Sequence, residues 1–167
     1  MVIGAGRRKR ASSPLTVINL RVPARLVYRD LVGRATGMVC RIAAQQRGAS
    51  SEFVDELENA VVSAVGEAFN NVVQHAYFGR GDGLVTLVVE CSDDELVVEL
   101  RHDGASFDLE SVPEPNLRDL PESGMGVFII RACMDELSYH PGSPNILRMR
   151  KRLPPSAGTA QPGFDLV

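Results

Sequence analysis

Glu67-Ala68-Phe69-Asn70-Asn71-Val72-Val73-Gln74-His75-Ala76-Tyr77 reads as a helix that carries chemistry. Glu67, Asn71 and His75 recur every fourth residue, so they form one stripe, its members ~6 Å apart along the axis at ~1.5 Å of rise per residue. An acid, a neutral carboxamide and an imidazole in line suit a site that holds a metal-phosphate group and moves a proton. Val54, Leu57, Val61, Val65, Ala68, Phe69, Val72 and Ala76 hold a helical period through the same segment. The polar stripe borders that apolar face, which is where a helix roofs a pocket. Ser50 or Ser51 caps this helix, and Glu52 and Asp55 in its first turn favour its dipole.

Working outward, Leu15 to Val22 alternates apolar and polar residues as a strand does, through Leu15, Val17, Leu20 and Val22, with Ile18 a further candidate. Pro23 then opens a helix, a position that tolerates its missing N–H. Leu26, Val27, Leu31, Ala35, Met38, Val39 and Ile42 form the apolar face of that helix, and Gly48 stops it. Downstream, Gly79-Arg80-Gly81-Asp82-Gly83 is a turn. Leu84 to Cys91 and Leu96 to Arg101 read as an antiparallel hairpin. Residues 103 to 123 contain Pro113, Pro115 and Pro121 and read as a long loop, which in a compact domain is either functional or an error of assignment. A third helix is expected from Gly126 to Leu137 and a final strand from Asn145 to Leu153. The element order is strand, two helices, two strands, long loop, helix and two strands. It predicts an α+β, two-layer sandwich, with a mixed, mostly antiparallel sheet and three helices on one face. Residues 1–14 are expected to be a flexible leader, 15–153 the domain, and 154–167 a flexible tail.

The 167 residues suffice for one domain with a real core, and 44% hydrophobic with 23% charged residues is ordinary for a globular protein. A net charge of −3 demands neither nucleic acid nor an anionic membrane as partner. No apolar run approaches ~18 residues, and no apolar segment follows Arg7-Arg8-Lys9-Arg10, which argues against a membrane span and a secretory signal. Cys40, Cys91 and Cys133 are widely spaced, an odd set without CxxC, so buried reduced thiols in a cytoplasmic protein are expected.

Phosphoryl transfer needs a divalent ion bridging phosphates, a carboxylate to accept the nucleophile's proton, and backbone amides around phosphate charge. Glu67 is the only acid in the second half of its helix and so the base candidate. Asn71, one turn on, offers a carbonyl oxygen to Mg²⁺. Gly124 and Gly126 let backbone approach a phosphate where a helix starts. Taken singly, Glu67 is more often a solvated charge, Asn71 a local hydrogen bonder and the glycine pair a simple turn. Their joint occurrence in this order reverses the balance.

These segments carry a family resemblance. Glu67, Asn71 and His75-Ala76-Tyr77, then Gly104 with Phe107-Asp108, then Gly124-Met125-Gly126-Val127-Phe128-Ile129-Ile130-Arg131 with Met134-Asp135-Glu136, resemble the GHKL ATP-binding fold. More narrowly they look like the bacterial anti-sigma factor serine/threonine kinases, over about Leu20 to Leu153. The resemblance implies a switch protein that uses ATP and Mg²⁺. It would bind an alternative sigma factor in one state and phosphorylate a STAS-domain anti-anti-sigma partner in another. It implies Glu67 as general base, Asn71 as Mg²⁺ ligand, residues 109 to 123 as a mobile lid, and a homodimer. Ser123, Gly124, Met125, Gly126 and Val127 would lie at the phosphates.

Two positions depart from the family pattern. The family has an acid that takes a hydrogen bond from the adenine amino group, and alignment on Gly104 and Phe107-Asp108 puts His102 there. Strand alternation supports this: Leu96, Val98, Leu100 and His102 share a face, while Asp103 points with Val97, Glu99 and Arg101. A neutral imidazole can accept one hydrogen bond but carries no charge, and a lost buried bond costs about 1 to 3 kcal/mol, or tenfold to a hundredfold in affinity. A bulge would instead turn Asp103 inward. Where the family often has an arginine before the glycine pair, this chain has Glu122-Ser123, and Arg118 is the nearest lid cation. His75 either orients Asn71 or a water, or is a packing residue, the preferred reading. The alternative to a kinase is a binding module that keeps the fold and sequesters a sigma factor or STAS protein. A histidine kinase catalytic domain is the weaker third reading.

Overall fold

The computed structural model describes residues 15–107, 109 and 125–155. Five strands form one sheet in the order β1-β2-β3-β5-β4, from Leu15–Pro23, Leu84–Cys91, Glu95–His102, Glu136–His140 and Asn145–Arg152. All four neighbouring pairs are antiparallel, so the sheet is not mixed among the described residues. Helices α1 (Arg29–Gln45), α2 (Ser51–Asn71) and α3 (Met125–Cys133) cover one face, giving the α+β two-layer sandwich that the element order implied.

Alternation along the strands decides which face is covered. Val85, Leu87 and Val89 of β2, Leu96, Val98 and Leu100 of β3, and Leu147 and Met149 of β5 join the helix residues Val61, Val65, Phe69 and Val72 in one core. A register shift between Thr16 and Ile18 resolves the ambiguity in β1. The bulge turns Ile18, Leu20 and Val22 to the core and leaves Leu15 and Val17 exposed. The opposite face is an ion-pair ladder. Glu99, only 6% exposed, accepts from Arg101 and Arg148 at 2.7 Å each, while Arg150 reaches across to Glu95 and Glu136. Val88 and Val97 are buried on that charged face, where long arginine stems can cover apolar surface.

Pro23 does not open a helix; it is the last residue of β1, opposite Leu84. An edge strand tolerates proline where no ladder bond is needed. A 3-10 turn at Leu26–Tyr28 leads into α1 instead. Gly48, at φ 70°, ends that segment in the left-handed region, and Ser50 caps α2 by accepting from the Phe53 amide at 3.2 Å. The third helix stops at Cys133, short of Leu137, because Asp135 turns the chain into β4. Its amide donates to the Arg150 carbonyl, and its carboxylate accepts from the Arg152 amide at 2.6 Å and faces Lys151 at 3.3 Å. The Met134-Asp135-Glu136 segment is thus a strand junction. Phe69 is fully buried between the layers. Phe69→Ala is expected to cost about 3–5 kcal/mol, read as a lower urea midpoint with an unchanged slope.

Candidate functional site

The site is built where α2 meets the start of α3. Glu67 and Asn71 both project toward Gly126: a Cβ there would lie 3.2 Å from either amide atom of Asn71 and 3.3 Å from Glu67 Oε2. A glycine at that position leaves room against the two polar side chains, where the described part of α3 begins. Met125, Gly126 and Val127 lie there, with Val127 buried. Ser123, Gly124, Glu122, Arg118, Asp108 and most of the expected lid lie outside the described residues.

Beyond Asn71 the expected stripe runs into a change of helical winding. After Asn71 the helix widens into a π turn over Val72–Ala76, closed by the Tyr77 amide donating to the Val72 carbonyl at 3.2 Å. His75 is exposed beside Gln74 and Phe78, so it is not the packing residue that was expected. The change of winding cannot be read from i, i+4 spacing.

The π turn is held at the sheet. Tyr77 donates its hydroxyl proton to the Leu84 carbonyl at 2.9 Å and accepts from the Asp103 amide at 3.0 Å. Gly104 lies so close to the end of the turn that a Cβ would stand 2.5 Å from the Ala76 carbonyl oxygen, which accepts instead from the Ala105 amide at 2.8 Å. Asn145 secures the other side, donating to the Gly104 carbonyl at 2.9 Å and accepting from the Gly142 amide at 3.1 Å. Sequence reading missed Asn145; its only signal was a polar residue at a core-facing position of β5.

At the same strand end, β3 turns His102 inward and Asp103 outward. His102 is 1% exposed, between the rings of Tyr77 at 6.1 Å and Tyr139 at 6.4 Å. Both its ring nitrogens are buried, with no hydrogen-bond partner among the described residues. Asp103 is exposed, accepting from the Ser143 hydroxyl at 3.4 Å. No bulge interrupts the register of β3 at its end, where His102 pairs with both Val85 and Asn145. One further contact had no signal in the sequence: Arg29 Nη2 stands 3.8 Å from Glu67 Oε1, 38 positions away in the chain.

Burial holds the His102 imidazole below its ordinary value of 6.5, against a weaker opposing pull from Asp103. A folded-state value below the unfolded one means that the unfolded chain takes up the proton first. Stability is therefore full above about pH 6.5 and falls as pH drops from there toward the folded-state value. Thermal melts between pH 8 and 5 should show this decline, and His102→Leu should flatten that part of the profile.

The chain is similar to known proteins. The model of the histidine kinase-like ATPase domain matches residues 30–151. The serine-protein kinases RsbW of Staphylococcus aureus strains bovine RF122 / ET3-1 and MRSA252 are each 30% identical to this chain over 144 residues, covering 80% of it and 85% of the relative. Among solved structures, the histidine kinase domain of the blue-light activated histidine kinase from Erythrobacter litoralis EL346 is 22% identical with a TM-score of 0.48, over 73% of this chain and 61% of that one. With the matched segment running from the start of α1 to the last strand, and so containing Glu67, Asn71, Gly104 and Gly126, the chain belongs to the histidine kinase-like ATPase domain family.

Proposed function

We propose that this chain is an anti-sigma factor and ATP-dependent serine/threonine protein kinase, acting on a STAS-domain anti-anti-sigma protein. The observation that carries the reading is that one acid and one amide from α2 share a glycine-lined space with the first turn of α3. The relatives named as serine-protein kinases support it from outside the structure. They lend nothing to the alternative of a binding module without catalysis.

In this reading Glu67 accepts the proton of a serine or threonine hydroxyl as that oxygen bonds to the terminal phosphorus of ATP. The bond from phosphorus to the bridging oxygen breaks, and ADP leaves with the electron pair. Glu67 suits the task by position, being half-buried with a 28% exposed side chain and free to meet a proton at the site's edge. The first turn of α3 faces the phosphates with its amides. Asn71 would hold Mg²⁺, which when bound neutralises charge on the phosphates. Among the described residues no three His, Cys, Asp or Glu side chains cluster as a metal cage. Asn71 offers an amide oxygen, and magnesium prefers oxygen ligands and shares them with substrate phosphates. His102, inward and without partners, would meet the nucleobase through a neutral ring nitrogen.

No helix among the described residues is long and apolar enough to cross a membrane. The reading includes a cytoplasmic homodimer, an alternative sigma factor as the second partner, and a catalytic domain over 15–153 between a leader at 1–14 and a tail at 154–167.

Purified protein with Mg-ATP should transfer the terminal phosphate to a serine or threonine of its STAS partner, followed with radiolabelled ATP. Glu67→Ala should lower that rate by about 10²–10⁴-fold, the usual contribution of a general base, and leave Mg-ADP affinity by calorimetry nearly unchanged. Wild-type protein that binds the STAS partner and Mg-ATP but transfers no phosphate would overturn the kinase reading. Asn71→Ala should weaken Mg-ADP binding while leaving the fold intact by circular dichroism.

A further inference from the structure

The Glu67 carboxylate lies between two helices that both pack on α2. On the α3 side its Oε2 borders the space left by Gly126. On the α1 side its Oε1 stands 3.8 Å from Nη2 of Arg29. That separation is beyond hydrogen-bond length, so charge makes the link.

The guanidinium lies close over Gly66. A Cβ at position 66 would lie 2.8 Å from Arg29 Nη2 and 3.2 Å from its Cζ and Nε, so a side chain there would displace it. Nε is buried there with no hydrogen-bond partner. A surface arginine free to choose would not leave a donor dry, since an unpaired buried donor is costly. Arg29 is also the first residue of α1, the end of a helix where the dipole disfavours a cation. Two local penalties are therefore accepted at one side chain, and the feature they coincide with is the carboxylate of Glu67.

We propose that Arg29 is a positioning residue for Glu67. It keeps the carboxylate turned toward the start of α3, where the hydroxyl and the terminal phosphate meet, and away from solvent. Gly66 is the second half of the device, because it gives the guanidinium its seat. The inference rests on the kinase reading, in which Glu67 is the base.

The test uses the full chain. Carboxyl-carbon NMR of glutamate-labelled protein, with Glu67→Gln assigning the resonance, reads the contact without nucleotide or partner. Arg29→Ala and Gly66→Ala should both move the Glu67 signal, and Arg25→Ala should not. In single-turnover transfer from Mg-ATP to the STAS partner, Arg29→Ala should lower the rate constant by about tenfold to a hundredfold, the scale of a misplaced catalytic group, with Mg-ADP affinity unchanged. Arg29→Lys should restore part of the rate, since it keeps the charge but not the planar fork. Gly66→Ala should also slow transfer even though alanine favours the helix and should raise the melting temperature, a combination that a purely structural role would not give. In a Glu67→Gln background, Arg29→Ala should add nothing further. An unmoved Glu67 resonance, or an unslowed Arg29→Ala protein, overturns the inference while wild-type transfer still stands. An inactive wild type with its Glu67 signal still sensitive to Arg29 would instead overturn the kinase reading, and the positioning role with it.

Discussion

The close packing of α2 against both neighbouring helices is the constraint on which the rest of this structure depends. A glycine stands at each contact. A Cβ on Gly37 would lie 2.9 Å from Glu58 Oε1 and 3.1 Å from Val62, one on Gly66 would meet Arg29, and one on Gly126 would meet Asn71. Such approach buries the apolar face of α2, from Val54 to Phe69, against the sheet, and an interior this dense gives its members little freedom to shift. Glu67 and Asn71 ride on the outer edge of that buried face. Their separation and direction are therefore properties of the core, and a site that must present two polar groups to one phosphate gains its preorganisation from apolar packing.

The far end of the site is stabilised differently. There the backbone leaves regular structure, and polar groups take over from side-chain volume. The π turn, the end of β3 and the start of β5 converge on the Tyr77 hydroxyl and the Asn145 amide, which make two hydrogen bonds each, and on the Ala76 carbonyl, which accepts one from the Ala105 amide. Satisfied in this way, buried polar groups specify a single arrangement of strand ends. His102 sits inside this junction yet shares none of its bonds. A buried imidazole with two idle nitrogens is costly to the free protein, and in the proposed reading that unmet capacity faces the nucleobase.

Much of this was legible before folding, for identifiable reasons. Val85, Leu87 and Val89, or Leu96, Val98 and Leu100, alternate without interruption, so strand identity and the covered face follow from a period of two. The inward turn of His102 follows from the same count. Misreadings came where one residue changed the count. The bulge near Val17 shifted the face of β1, Pro23 ended a strand where it was expected to start a helix, and Asp135 converted the expected helix end into β4. At His75 the winding itself changed, in a π turn over Val72–Ala76, and the imidazole faces solvent.

By itself the sequence determined the layer architecture, the covered face of the sheet and the pairing of Glu67 with Asn71, because these depend on periodicity within single elements. Tertiary structure alone decided that Arg29 reaches Glu67, that Asn145 ties Gly104 to β5, and that His75 faces solvent. Contacts between residues 38 or more positions apart, and a change in helical winding, depend on how closely neighbouring elements approach, and no local spacing encodes that distance.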